Sequence, residues 1–124
     1  MNKIKEDYVS YEIAELLKEK GFNEPCRAYY KMGGLKEDMT VPRDWSHSVY
    51  IDHTSAPTLQ MAMKWLREVH NIFIQIELYS KNGDYCFEVF KNTHRMIVEK
   101  NEVYNTYEEA CEESLKYCLI NLIK

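Results

Sequence analysis

No stretch of about 18 apolar residues occurs anywhere in this chain, so no membrane-spanning helix is expected. Glycine and proline are sparse, 4 and 3 among 124 residues, which excludes collagen-like and low-complexity character. There is no G-x-S-x-G, no H-E-x-x-H and no glycine-rich phosphate loop after a strand, so the common signatures of hydrolases and nucleotide enzymes are missing. The four cysteines, Cys26, Cys86, Cys111 and Cys118, show no C-x-x-C spacing. Neither a zinc site nor a disulfide framework is indicated. Like charges never run to five, and the net charge is −4. That balance disfavours non-specific nucleic-acid binding, which depends on clustered Lys and Arg. The segment Met1 to Asp7 lacks an apolar run after its lysines and does not read as a secretory signal. A cytoplasmic protein is expected.

What is present is a globular composition, 45% hydrophobic and 29% charged. A chain of this length suits one core, so residues 1–124 are expected to form a single small domain. Asn71 to Lys91 reads as a β-hairpin. Ile72, Ile74, Ile76 and Leu78 alternate with Phe73, Gln75, Glu77 and Tyr79, and after Asn82-Gly83 the alternation returns through Tyr85, Phe87 and Val89. Asn-Gly between alternating runs predicts a type I′ turn, because both central residues need φ > 0. With those two as the turn, Leu78 faces Phe87, Ile76 faces Val89, and Glu77 lies opposite Glu88.

Helices are expected on both sides of the hairpin. The first runs from about Tyr11 to Lys20, capped by Ser10 and closed by Gly21, with Ile13, Ala14, Leu16 and Leu17 as its stripe. The second runs from about Thr58 to His70, with Leu59, Ala62, Met63, Leu66 and Val69 on one face and Asn71 closing it. The last begins at a Thr106/Glu109 capping box and buries Tyr107, Ala110, Cys111, Leu115, Cys118 and Leu122. Cys26 to Met32 and Arg95 to Glu99 read as further strands. Between Gly33-Gly34 and Thr54 the pattern is a long loop, with a short strand at Val49-Tyr50-Ile51 as one option inside it. The expected class is α+β: an antiparallel sheet of three to four strands with helices packed on one face.

Candidate site residues come mainly from the aromatics, 16 in all, of which 10 are tyrosine. Trp65 falls at the edge of the second helix's stripe, and Tyr29 and Tyr30, adjacent on a strand, must point to opposite faces. Half-exposed Tyr and Trp are typical interface anchors. On the hairpin's second face Phe73, Glu77, Tyr79, Glu88 and Phe90 make a mixed aromatic and acidic surface. Like charges opposed across a ladder are destabilising, so the Glu77–Glu88 pair invites a cation or a basic partner. These residues are the expected partner-binding set, for a protein partner or for self-association. A nucleic-acid alternative rests on Arg27, Tyr29 and Lys31 sharing one strand face, with Lys91 and Arg95 flanking the second turn. His47, Asp52, His53 and nearby Asp44 could ligate a metal, but their spacing fits no zinc or iron pattern, so no metal and no cofactor is expected. Cys26 beside Arg27 is a candidate thiolate, against the plainer reading of a structural thiol. No catalytic constellation is expected.

The segments Ala56-Pro57-Thr58-Leu59-Gln60-Met61-Ala62-Met63-Lys64-Trp65-Leu66-Arg67-Glu68, Thr106-Tyr107-Glu108-Glu109-Ala110-Cys111 and Tyr8-Val9-Ser10-Tyr11-Glu12-Ile13-Ala14 together carry a resemblance. The chain resembles a group of small proteins that recur in gut Bacteroidetes genomes and their phage-like regions. The likeness lies in packing motifs, outside the loop from Met32 to Thr54, and carries no activity or site residues. It implies an intracellular accessory protein of mobile-element origin. The sequence therefore points to a non-enzymatic interaction or accessory module.

Overall fold

The computed structural model describes residues 4–49, 52–95 and 102–123. The order is α1 (Tyr11–Glu19), β1 (Ala28–Lys31), β2 (Gly34–Glu37), β3 (His53–Ser55), α2 (Leu59–His70), β4 (Ile72–Leu78), β5 (Tyr85–Lys91), β6 (His94–Arg95) and α3 (Tyr107–Asn121). The class is α+β, with two three-stranded antiparallel sheets ordered β2-β1-β3 and β4-β5-β6. The chain divides into two compact units, residues 1–61 and 62–124, with the boundary inside α2. No helix among the described residues is long and apolar enough to cross a membrane.

In the first unit, Ser10 caps α1 by accepting from the Ile13 amide at 3.3 Å. The helix ends in a Schellman motif: Gly21 N–H donates to the Lys18 carbonyl and Phe22 N–H to that of Leu17. Gly21 sits at φ +90°, with no heavy atom near the place a Cβ would occupy. Gly21→Ala should therefore cost about 1 kcal/mol from backbone conformation alone, read as a lower urea midpoint with unchanged m-value. Ile13, Ala14 and Leu17 are buried, while Leu16 is only half-buried. Helix α1 packs on β3, and Thr54 Oγ1 donates to Glu15 Oε1 at 2.7 Å across that contact.

The strand expected from Cys26 to Met32 is shorter than read, because Met32 at φ +52° and Gly33 at φ +79° make a tight two-residue turn into β2. What reads as a structureless loop from Met32 to Thr54 thus supplies strands β2 and β3. It also carries a bridge pairing Cys26 with Arg43 and a single 3₁₀ turn at Trp45–His47. The optional strand at Val49-Tyr50-Ile51 lies partly outside the described residues, as do 96–99 of the one expected at Arg95 to Glu99.

In the second unit the hairpin exists, but its register differs from the one read. Ile76 faces Phe87, Ile74 faces Val89 and Leu78 faces Tyr85. The connection is a four-residue loop, Ser80 to Gly83, flanked by a Tyr79 N–H to Asp84 carbonyl bond of 2.7 Å. Gly83 N–H closes a β-turn on the Ser80 carbonyl at 3.2 Å, and only Gly83 takes positive φ, so Asn82-Gly83 is not a type I′ pair. The two-residue turn with both φ positive lies instead at Asn92-Thr93, between β5 and β6. Asn71, at φ +54°, closes α2 as expected, and its side-chain amide donates to Asn92 Oδ1 at 3.0 Å.

Helix α3 packs on β4 and β5. Thr106 caps it by accepting from the Glu109 amide at 3.0 Å. Ala110, Cys111, Ser114, Leu115, Cys118 and Leu119 are its buried residues, so Leu119 takes the place expected for Leu122. Ser114 satisfies its hydroxyl by donating to the Cys111 carbonyl at 2.8 Å. At the far end Lys91 Nζ donates to the Leu122 carbonyl at 2.9 Å, where a helix C-terminus favours a cation.

Candidate interaction face and aromatic clusters

Because directly opposed residues share a face, the register sorts the second sheet without ambiguity. Ile72, Ile74, Ile76, Phe87 and Val89 lie on the side of α3, where Ile72 and Val89 are fully buried and Phe87 approaches the Tyr117 ring at 6.4 Å between centroids. Phe73, Gln75, Glu77, Cys86, Glu88 and Phe90 lie on the other side. There Phe73 is 40% exposed, Gln75 is exposed, and Glu77, Glu88 and Phe90 are half-buried; Tyr79, just past the end of β4, is 60% exposed. The face is aromatic and acidic, as its alternation predicted.

Its charges are placed differently from the expectation. Glu77 lies opposite Cys86, and Glu88 opposite Gln75, so the opposed glutamate pair does not exist. The longer loop shifts the pairing by two residues. That keeps every side chain on its face while removing the like-charge contact. Both carboxylates still act on Cys86, whose thiol is pushed up first by burial and then by Glu77 and Glu88.

The remaining predicted residues fall elsewhere. Trp65 is buried, 4% exposed, with its ring edge-on to His70 at 4.7 Å. It is a core side chain: the buried face of α2 takes in Trp65 beside Leu66, whereas Val69, expected on that face, is 56% exposed. Tyr29 is half-buried in the first sheet. Its ring stacks on Trp45 at 4.2 Å and meets His53 edge-on at 4.5 Å. Arg27 and Lys31 are exposed on either side of it, and Arg27 Nη1 donates to the Met39 carbonyl at 3.2 Å. One face of the Tyr29 ring is therefore already taken.

Trp45 is the residue that spacing missed. It is buried, and its indole N–H donates to the Cys26 carbonyl at 2.8 Å. Its own amide and that of Ser46 both donate to Ser55 Oγ, at 2.9 and 3.2 Å. The available signal was an aromatic residue just after Asp44, whose carboxylate caps the 3₁₀ turn by accepting from the His47 amide. His47 Nδ1 lies 3.1 Å from the same carboxylate, and His53 is buried among rings. Among the described residues no group of three or more His, Cys, Asp or Glu side chains is placed to hold a metal ion.

No family model, curated protein or solved structure matches this chain. The chemistry must come from its own residues.

Burial raises all four thiols and favours their protonated form. Cys26 is buried, its thiol pushed up to about 12 by burial and by Asp44, the reverse of an Arg-activated thiolate. Burial likewise pushes Cys111 up to about 11 and Cys118 up to about 12. All four cysteines are free, and Cys86 alone is not fully buried.

His70 has a displaced titration. Burial lowers its pKa below 6.5 and the Lys91 charge lowers it further, while its Nε2 is buried without a hydrogen-bond partner among the described residues. The folded protein then binds fewer protons than the unfolded chain below about pH 6.5, so His70 costs stability as pH falls through that range. Urea midpoints should drop more between pH 7.5 and 5 for wild type than for His70→Leu. Equal drops would remove His70 as the cause.

Proposed function

We propose that this protein is a non-enzymatic interaction module that binds a protein partner, or a second copy of itself, through the α3-distal face of the β4-β5-β6 sheet. The observation that carries this reading is the exposure of Phe73 on a face that also bears Glu77 and Glu88, with exposed Tyr79 next in the same alternation just past the end of β4. Aromatic side chains flanked by polar groups are what binding hot spots are made of, and the two carboxylates favour a partner presenting Lys or Arg. On this face the Cys86 thiol is raised by burial and by Glu77 and Glu88, which fits a surface that binds rather than reacts.

Replacing Phe73 and Tyr79 together by Ser tests this. Both side chains are exposed enough that the melting temperature should move little, whereas affinity for the partner should fall about tenfold or more. Sedimentation of wild type and variant separates the two occupants, since only self-association shifts with protein concentration. Unchanged affinity in a folded double variant contradicts the assignment.

The nucleic-acid alternative, an accessory protein of a phage or mobile element, draws on the exposed Arg27 and Lys31. A stacking platform needs a free ring face beside them, and Trp45 occupies one face of Tyr29. A mobility shift at low salt that is lost in an Arg27→Ala, Lys31→Ala variant would favour that reading over the first.

A further inference from the structure

On the α3 side of the same sheet a cavity of about 300 Å³ is lined by three aromatic rings, Phe87, Tyr104 and Tyr117, together with Glu102, Glu113 and Lys116. Phe87 is its hub: the Tyr104 ring lies 6.0 Å away and nearly parallel, and the Tyr117 ring 6.4 Å away and tilted by 49°. Tyr104 is held in place by its backbone, which exchanges two hydrogen bonds with Tyr85 at 2.7 and 2.8 Å. Its hydroxyl donates to Glu102 Oε2 at 2.9 Å. Burial raises the pKa of that hydroxyl, and Glu102, Glu113 and Glu109 raise it further, so three carboxylates impose a negative potential on one ring.

We propose that this cavity binds an N-alkylated ammonium group. Ring faces are negative and attract a cation whose methyl groups prevent strong hydration, and carboxylates at the rim add a charge term that a neutral apolar ligand would not use. An anion is disfavoured by Glu102 and Glu113. A bare metal ion would need convergent ligands that the described residues do not supply. Lys116 opposes the two carboxylates with a single charge, which leaves the rim acidic. The volume is at the small end of ligand sites and suits a head group rather than a large molecule. The same head group occurs free, as in choline, and on a methylated lysine side chain, and the cavity recognises what they share.

The test is a calorimetric or NMR titration of the intact protein with choline, with a trimethyl-lysine peptide, and with 3,3-dimethylbutan-1-ol, the neutral isostere of choline. Choline or the peptide should bind saturably, with the neutral isostere about 2- to 30-fold weaker. Whichever cation binds more tightly identifies the source. Tyr104→Leu and Glu113→Gln should each weaken the cation, whereas Lys116→Met should not. The Phe73→Ser, Tyr79→Ser double variant should leave binding intact, so this inference and the interaction face stand or fall separately. Equal binding of the isostere, no saturable binding of any probe up to about 50 mM, or indifference to both Tyr104→Leu and Glu113→Gln in folded variants overturns the proposal.

Discussion

Val89→Asp is expected to leave the second unit unfolded at neutral pH. Val89 is 0% exposed at the centre of β5, opposite Ile74, on the side covered by α3. An aspartate there would bury a carboxylate with no partner while losing an apolar side chain, a combination that costs more than about 4 kcal/mol. Whole domains are stable by only about 5–15 kcal/mol, so the loss is decisive. The control is one residue away. Glu88 lies on the opposite face, and Glu88→Ala should shift stability by less than about 0.5 kcal/mol. Amide spectra of the two variants should show resonances of residues 62–124 collapsing in the first and persisting in the second. A Val89→Asp protein that melts like wild type would show the faces of the sheet to be wrongly assigned.

Trp45→Ala is expected to cost about 3–5 kcal/mol, the usual range for a fully buried large aromatic. The loss has two parts. The Tyr29 ring loses its stacking partner at 4.2 Å, and the Cys26 carbonyl loses the indole donor that satisfies it. Trp45→Phe restores the ring but not the donor, so it should recover part of the stability and leave a deficit of about 1–3 kcal/mol. Denaturant unfolding of the three proteins measures both parts. A Trp45→Ala cost below about 1 kcal/mol would mean that the tryptophan does not organise the segment between β2 and β3.

Elements whose signals are local were legible in the sequence. Ser10, Gly21, Asn71 and Thr106 each act through backbone geometry that needs a particular residue type, and each occupies the position its type predicts. The two faces of the hairpin were legible for a related reason: period-two alternation survives a register shift of two residues. The register itself was not. Asn82-Gly83 can serve a two-residue turn or end a four-residue loop, and Ser80 decides for the latter by accepting from the Asn82 amide through its hydroxyl. The Met32-Gly33 turn was hidden because methionine rarely takes positive φ, so β2 went unread and its neighbours became loop. Trp65 and Val69 were both misplaced because helical spacing locates a buried face but not which residues at its margins are covered: Trp65 is buried and Val69 exposed. The aromatic cavity could not be read at all. It depends on Tyr104 being bridged to Tyr85 beside a helix whose register no local pattern reports.

Partner binding is proposed at the face carrying Phe73, with Tyr79 beside it, and not at the outer surface of α3. Photocrosslinking from within the native host tests it most directly. A benzophenone side chain is placed at exposed position 75 on that face, and separately at exposed position 108 at the start of α3. A discrete adduct from position 75, with a partner or a second copy, is expected; it should disappear in the Phe73→Ser, Tyr79→Ser background and be absent from position 108. An adduct from position 108 alone, or the same adduct from both positions, would contradict it.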